Sequence, residues 1–412
     1  MKTYSTQEKY IRILAVILTP LSISQWLSIS INSSIIRVIS LTLCLLIIRY
    51  SFSYSLLFNS NYKIIKYYLI WVSISLIRGI IIAQSFWDYN LLSIGITCLS
   101  LPLFVFYFEK PSNCTFFLRL WIKYCIPLFF LIIFISPPES FHFYLAPFFF
   151  WGAFIPILPK KWKIISITLL FIMIFISLEA RSQIIKSIVA VSMSFAYLYR
   201  NKISSKILKI IHWGLYIITV IFLYLGITGH FNIFKDSISN KNDETLLKNN
   251  VTSISADTRT SIYSDVINSA INNHYILFGR TPARGNDIYI SFEKTTTSSS
   301  DQRHFERHIN ELCHPNIFTW LGLIGVILYS LIYFRASWLA LYKSNSFALK
   351  ILGCFTAFHW LFGWIEDTNL FNISNIILWM TIGICFSNKF RKMSDTEFKQ
   401  WVILIFKYKY HK

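Results

Sequence analysis

Residues Cys313–Phe334 read CHPNIFTWLGLIGVILYSLIYF, and this stretch decides the class of fold. It begins with a histidine and a proline at the edge of a polar region and continues as an apolar run with two glycines. About 20 mostly apolar residues are enough to cross the hydrocarbon core of a bilayer as a helix. The stretch therefore predicts a transmembrane helix with a titratable ring, His314, at the membrane border.

The rest of the chain has the same apolar character. It has 412 residues, of which 55% are hydrophobic and only 14% are charged, and its mean hydropathy is +0.52. A soluble domain carries about 25% charged residues, so we expect an all-α polytopic membrane protein. A search for apolar runs of spanning length gives about twelve transmembrane helices, at 12–30, 33–50, 65–85, 91–108, 117–136, 140–158, 163–178, 183–199, 208–228, 315–334, 346–365 and 370–387.

The positions of the charges predict the orientation of these spans. Lysines and arginines are concentrated in alternate loops and in the C-terminal tail, as expected when both termini are cytoplasmic. The loops between them are short and nearly uncharged, apart from the long segment 229–315, which holds nine basic and ten acidic residues. The formal charge of +20 is therefore a topology signal, and nucleic-acid binding is excluded as its explanation.

This topology predicts four parts. Residues 1–228 form a bundle of about nine spans, 229–315 a periplasmic loop, 316–387 about three further spans, and 388–412 a basic cytoplasmic tail. Within the loop, apolar residues from Ile262 to Ile271 recur at helical spacing, so we expect an amphipathic helix that starts near Asp257 or Thr258. The seven cysteines match no metal-binding spacing and are interpreted as small hydrophobic residues.

Several local patterns occur together around this loop. An Arg-Ser pair opens an earlier span in LEARSQIIKSIVAV, and the loop helix carries an arginine in its first turn and is followed by the turn FGRTP. The loop ends at a histidine, after which comes a span containing LGLIGVILY. Over about residues 165–335, the chain resembles the bacterial O-antigen polymerase and O-antigen ligase superfamily.

The resemblance implies a GT-C-like membrane fold in the bacterial inner membrane, with the large loop in the periplasm. It implies transfer of a glycan from undecaprenyl diphosphate, on the outer face of the membrane, without a nucleotide sugar, a metal or another cofactor. The partners would be an undecaprenyl-diphosphate-linked oligosaccharide, the lipid bilayer and, for a polymerase, a chain-length regulator.

Three activities are compatible with the sequence. A polymerase would move the growing chain onto the next lipid-linked repeat unit, and a ligase would move it onto the lipid A core. The superfamily pattern places a histidine about three helical turns before the first glycine of the following span. His314 precedes Gly322 by eight residues and His308 precedes it by fourteen, which favours the polymerase and leaves the choice of histidine open. A lipid-linked oligosaccharide flippase is the third activity, but the chain shows no inverted repeat of the kind found in transporters.

Glycan transfer from a diphosphate makes two chemical demands. Arginine meets the first because its guanidinium stays charged and binds phosphate oxygens in a fork. The alternative is that these arginines are interfacial anchors or ordinary loop charges. The candidates are Arg181 and Arg259 as catalytic residues, and Arg78, Arg37, Arg280 and Arg284 as substrate-binding residues.

The second demand is a base for the acceptor hydroxyl. His314 and His308 are catalytic candidates because imidazole titrates near neutral pH. Glu366 and Asp367, in the last outer loop, are the alternative acids, either as base or as substrate-binding groups. Gly322 and Gly325 are interpreted as positions where another helix approaches closely.

Overall fold

The computed structural model describes residues 6–22, 33–54, 59–137, 140–175, 181–227, 258–288 and 306–407, with only the backbone described at residues 33, 181, 226–227 and 258–261. This part of the chain is mostly helical. Six of its helices are long and apolar enough to cross a membrane, as expected for an all-α membrane protein: Ser34–Ser53, Ser60–Ile82, Phe86–Phe108, Pro111–Ile132, Ser205–Leu225 and Cys313–Tyr342. Shorter apolar helices cover Ser182–Leu198, Phe347–Phe362 and Ile373–Phe386.

The helices fall into two groups, separated by residues 228–257. The first group is α1 (Thr6–Ser22), α2 (Ser33–Ser53), α3 (Lys63–Ile82), α4 (Phe86–Leu99), α5 (Phe104–Phe108), α6 (Pro111–Leu120), α7 (Ile126–Ile132), α8 (Ser140–Tyr144), α9 (Pro147–Gly152), α10 (Lys160–Phe175), α11 (Arg181–Leu198) and α12 (Ser205–Ile227). The second is α13 (Thr258–Asn272), α14 (Cys313–Tyr342), α15 (Phe347–Phe362), α16 (Ile373–Phe386), α17 (Asn388–Arg391) and α18 (Asp395–Phe406). Two short strands, β1 (Asn286–Asp287) and β2 (Glu306–Arg307), pair antiparallel.

The segment 140–158, predicted as one span, is a series of short helices instead. It consists of α8, α9 and a 3₁₀ turn at Ile155–Ile157, and both α9 and the 3₁₀ turn have a proline in their first turn. Proline lacks the N–H needed in a helix interior and fits the first turn, so each proline ends one helix and starts another. Aromatic side chains of this segment, including Phe148, Phe150 and Trp151, are completely buried in the bundle.

The long helix α14 is broken at Gly322. Its backbone there has φ 69° and ψ −169°, a conformation that only glycine adopts without strain. The turn Ile276–Thr281, from the segment predicted as a loop, approaches the break, and Gly279 in it also has a positive φ of 72°. A Cβ on Gly322 would lie 2.3 Å from the carbonyl oxygen of Leu277. The close approach that the sequence indicates is therefore made at Gly322 by a turn rather than by a helix.

The turn supplies the hydrogen bonds that the broken helix lacks. The Leu323 N–H donates to the Ile276 carbonyl at 2.8 Å, and the Arg280 N–H donates to the Thr319 carbonyl at 2.7 Å. Unpaired backbone groups are costly at membrane depth, and non-helical backbone is tolerated there only where protein surrounds it. The turn and the two halves of α14 thus form one hydrogen-bonded unit.

Helix α3 holds this unit from the side. The Trp71 indole N–H donates to the Leu321 carbonyl at 2.9 Å, just before the break. The Arg78 guanidinium donates to the carbonyls of Phe278 and Gly279 at 2.8 and 3.1 Å. These bonds satisfy one carbonyl of α14 just before the break and two carbonyls of the inserted turn, so the described part of the predicted loop is packed into the helix bundle.

The helix bundle has two chemically different ends. At one, which we call the basic end, the Lys110 ammonium lies 3.5 Å from the Glu8 carboxylate, and the Asn345 N–H donates to the Arg391 carbonyl at 3.0 Å. The tail helix α18 packs there, with Phe398 and Trp401 buried. The other, which we call the loop end, holds α13, the turn Ile276–Thr281 and the start of α14.

Candidate functional site

His314 lies at the loop end, in the first turn of α14, among aromatic rings. Its ring centroid is 4.2 Å from that of Trp364, 5.9 Å from that of Trp360 and 6.0 Å from that of Tyr329. Its backbone N–H donates to the Gly363 carbonyl at 3.2 Å. The side chain is 1% exposed, and neither ring nitrogen has a hydrogen-bond partner within the described residues. The ring is thus held in place by packing while both nitrogens remain available to a ligand.

Gly363 provides the space for this ring. A Cβ at position 363 would lie 2.6 Å from His314 Cε1 and 2.8 Å from Nδ1, far closer than ordinary contact. The backbone of Gly363 is helical, with φ −64° and ψ −14°, so glycine is not needed there for conformational freedom. The absence of a side chain at this position is therefore what lets the imidazole lie flat against the loop that follows α15.

Asp367 lies in the same loop, beside the start of α14. The Asn369 N–H donates to its carboxylate at 2.9 Å, and the Asn316 side-chain amide lies 3.5 Å from it. Burial, opposed by the hydrogen bond from Asn369 and assisted by the neighbouring charge of Glu366, raises the pKa of Asp367 to about 7. A carboxyl group with a pKa near ambient pH is suited to accept a proton from a hydroxyl group.

Glu366 is held by helix α11 through one hydrogen bond and one ion pair. Its Oε1 accepts a hydrogen bond from the Gln183 amide at 2.6 Å, and its Oε2 lies 3.0 Å from the Lys186 ammonium. The Cys313 N–H donates to its backbone carbonyl at 3.2 Å. Sequence reasoning missed Gln183 and Lys186. Lys186 lies within an apolar run, however, and a charge inside a predicted span is a signal that could have identified it.

Arg181 and Arg259 are brought to the same loop by their helices. Helix α11 begins at Arg181, five residues before Lys186, which contacts Glu366. Arg259 is the second residue of α13, and four residues later the Tyr263 hydroxyl donates to the Trp364 carbonyl. The side chains of both arginines lie outside the described part of the structure. Two helix N-termini thus meet at the loop Gly363–Asp367.

Arg280 and Arg284 form ion pairs within the folded part of the loop. Arg280 lies 2.7 Å from Asp287 and 3.2 Å from Glu306. The Arg284 Nε donates to both Glu306 oxygens at 3.0 Å, which raises the pKa of Arg284. Sequence reasoning expected both arginines to bind phosphate or saccharide. In the structure their charges pair with Asp287 on β1 and Glu306 on β2, and binding of phosphate or saccharide stays a prediction.

Arg78 and Arg37, also predicted to bind substrate, contact protein groups. Arg78 donates to the two turn carbonyls described above. Arg37 donates to the Asn90 side-chain oxygen, which joins α2 to α4, and to the Ser34 hydroxyl at 3.3 Å. Both arginines lie toward the loop end, but the bonds they make hold helices and backbone together rather than reach Asp367.

His308, the other candidate histidine, supports the turn. Its Nε2 donates to the Pro282 carbonyl at 2.7 Å, and its ring lies 5.4 Å from that of Trp320. Burial lowers the pKa of His308, against the opposing effects of the Pro282 carbonyl and the Glu306 charge. One nitrogen of His308 is committed to the backbone, whereas both nitrogens of His314 lack a partner in the described chain. The geometry therefore favours His314 as the ligand-binding histidine.

The chain matches no protein-family model, no curated protein and no solved structure. The arguments for its function therefore rest on its own residues.

Proposed function

We propose that this protein is an inner-membrane glycosyltransferase that polymerises an O-antigen or a related polysaccharide. It would transfer a glycan from undecaprenyl diphosphate to a hydroxyl group of the next lipid-linked repeat unit. The observation that carries the proposal is the convergence on the loop Gly363–Asp367. Two helices with arginine in their first turn meet there, next to a carboxyl group with a pKa near 7 and an imidazole whose nitrogens have no partner among the described residues.

The proposed reaction assigns one task to each group. Asp367 in its ionised form takes the proton of the acceptor hydroxyl, whose oxygen forms a bond to the anomeric carbon of the donor sugar. The bond between that carbon and the phosphate oxygen breaks, and the electron pair leaves with undecaprenyl diphosphate. Arg181 and Arg259 stabilise the charge that develops on the diphosphate, and stabilisation of this kind commonly contributes more to the rate than any other effect. His314 orients the acceptor by hydrogen bonding.

The distribution of charge supports the orientation that this reaction needs. Lys110, Arg391 and the tail helix lie at the basic end, which the excess of positive charge would keep in the cytoplasm. The loop end, with His314 and Asp367, would then face the periplasm, where lipid-linked repeat units are presented. The indole rings of Trp360 and Trp364 beside His314 offer apolar faces of the kind that pack against sugar rings.

Deletion of the gene and electrophoresis of the lipopolysaccharide test the proposal. We expect the deletion strain to make core carrying a single repeat unit. Bare core with polymer retained on the lipid carrier would indicate a ligase instead, and bare core with repeat units trapped inside the cell would indicate a flippase. Either result would overturn the assignment to a polymerase.

Complementation with variants then tests the site. Asp367→Asn, Arg181→Ala and Arg259→Ala should fail to restore the polymer although each protein accumulates in the membrane. Arg181→Lys should remain impaired, because an ammonium cannot reproduce the guanidinium fork. Arg49→Ala, an exposed arginine of α2, is the matched control and should restore the polymer fully. Normal polymer from all three site variants would refute the proposed site.

A further inference from the structure

Lys186 is a buried cation inside the bundle. It lies in α11, its side chain is 7% exposed, and its ammonium is 3.0 Å from Glu366 and 4.9 Å above the Phe362 ring. Removing two charges from water costs free energy that their attraction often fails to recover, so a buried ion pair contributes little stability compared with apolar packing. We therefore look for the role of this ion pair in the position that it gives to Glu366, rather than in the stability of the fold.

That geometry fixes Glu366 from several sides. One carboxylate oxygen binds Lys186 and the other binds the Gln183 amide, both on α11. The backbone carbonyl accepts from the Cys313 N–H on α14, and the backbone N–H donates to the Phe362 carbonyl at the end of α15 at 3.0 Å. With one oxygen hydrogen-bonded to Gln183 and the other ion-paired with Lys186, Glu366 is poorly placed to accept a proton from a substrate. It instead links three helices and holds a negative charge in a fixed place.

The fixed charge lies next to Asp367 in the chain. Apart from Glu366, the titratable side chains that face Asp367 in the described residues are the thiols of Cys98, on α4, and Cys313, on α14. Burial is the main cause that raises the pKa of Asp367, and the Glu366 charge acts in the same direction. The position of Glu366, set by Lys186, therefore acts on the group proposed as the base.

We propose that Lys186 is a positioning residue of the site, which holds the Glu366 carboxylate so that the loop Gly363–Asp367 presents Asp367 and the His314 ring to one acceptor hydroxyl. This inference rests on the proposed glycosyl transfer. Within the described residues, His142 on α8 and His359 on α15 are the other titratable groups that face the Lys186 ammonium. Lys186 itself has no contact with the reacting groups in this assignment and acts through Glu366.

A titration of Asp367 by infrared spectroscopy tests the inference without any assay of activity. The purified protein in lipid nanodiscs gives the carboxyl band of Asp367 as the difference between wild type and Asp367→Asn. The double variant Lys186→Met/Glu366→Gln replaces the buried pair by neutral side chains of similar size, with its own Asp367→Asn derivative as the reference. We expect the titration midpoint to fall, because the Glu366 charge that raises the pKa of Asp367 has been removed, whereas Lys186 is not among the charges that act on that carboxyl group. An unchanged midpoint would overturn the inference.

Glycosyl transfer to extracted lipid-linked repeat units gives the second readout. Lys186→Met alone should lower the rate at least tenfold, because Glu366 loses the partner that holds it, and Lys186→Arg should recover part of the rate. In the double variant the acid limb of the pH–rate profile should move to lower pH by the shift found by infrared. Lys63→Met, an exposed lysine of α3, is the control and should leave both readouts unchanged.

The two proposals fail in distinguishable ways. If Asp367→Asn and His314→Ala make normal polymer, the proposed function is wrong, whatever the infrared titration shows. If those variants are inactive while the Lys186→Met/Glu366→Gln protein keeps the wild-type midpoint and profile, the site stands and the positioning role of Lys186 is wrong.

Discussion

The contact between Gly363 and the His314 ring can be tested by adding one methyl group. In Gly363→Ala the new Cβ would lie 2.6 Å from His314 Cε1, where ordinary contacts are 3.4–4 Å, so the ring must move by about 1 Å. The ring has little room to do so, because Trp364 lies 4.2 Å away on one side and Trp360 and Tyr329 surround the rest. Overpacking of this kind costs about 1–3 kcal/mol.

The backbone itself would favour alanine. Gly363 has helical φ and ψ, and a glycine replaced by alanine in a compatible conformation stabilises a protein by about 0.4–1 kcal/mol. The single variant should therefore be destabilised by up to about 2.6 kcal/mol, the largest difference between the two effects. In a His314→Ala background the clash with the ring is absent and only a 3.3 Å contact with Thr368 Oγ1 remains, so the same substitution should become stabilising by up to about 1 kcal/mol.

A double-mutant cycle measures this change of sign. The four proteins (wild type, each single variant and the double variant) would be unfolded thermally in lipid nanodiscs under identical conditions. Residues in contact show a coupling free energy, whereas residues more than about 10 Å apart have nearly additive effects. Equal destabilisation by Gly363→Ala in both backgrounds would refute the placement of the imidazole against this loop.

Three further predictions concern the helix break, the candidate base and the loop ion pairs. In the same thermal unfolding assay, Gly322→Ala should destabilise the protein by about 2–5 kcal/mol, because it adds backbone strain and overpacking at the break. Gly214→Ala is the control: its Cβ meets nothing within 4 Å, so it should be neutral or stabilising by up to about 1 kcal/mol. Transfer rates should fall about tenfold per pH unit below about 7, because the base must be ionised. The folded protein should lose stability as pH rises from 3.8 to about 7, because over this range Asp367 is ionised in the unfolded chain but still protonated in the folded one, and Asp367→Asn should lack this loss. Arg284→Ala should keep at least a third of the transfer rate and show a coupling of about 1 kcal/mol with Glu306→Ala in unfolding, since its charge pairs within the loop.

Hydropathy alone predicts most of the helices but not how they are interrupted. The apolar runs correspond to helices such as α3, α12 and α14. The spacing of apolar residues from Ile262 to Ile271 predicts a helix that starts near Asp257 or Thr258, and the structure has α13 there, at Thr258–Asn272. The segment 140–158 is equally apolar, yet its prolines divide it into short buried helices. Hydropathy measures whether side chains tolerate an apolar environment, and it carries no information about where a backbone hydrogen bond is lost.

Gly322, one of two glycines in this apolar helix, shows the same limit of prediction from sequence. A pair of glycines in an apolar helix permits close approach, but the sequence does not say what approaches. At Gly322 the answer is a turn from a distant part of the chain, which replaces the hydrogen bonds lost at the break. The partner depends on tertiary structure, and the local pattern is the same for a helix and for a turn.

Intramembrane charges illustrate both the use and the failure of sequence reasoning about the site. Arg78 and Lys186 each lie in an apolar run, and the same rule marks both as functional candidates. Arg78 donates to two carbonyls of the inserted turn, so its charge is used to satisfy backbone groups. Lys186 pairs with an acid one residue from the candidate base. A cation in a span can therefore either satisfy backbone carbonyls or pair with an acid near the site. Only its partner in the folded structure shows which of these two roles it has.

The inserted turn also explains how a loop and a membrane helix can serve one reaction. The turn Ile276–Thr281 follows α13, which carries Arg259, and it is bonded to both halves of α14, which carries His314. Any displacement of the turn must therefore break the hydrogen bonds between the turn and α14, at a break where little water is expected to replace them. The relative position of the proposed diphosphate-binding arginine and the proposed acceptor-binding histidine is thus fixed by backbone bonds. Such rigid support is what catalysis by oriented groups requires.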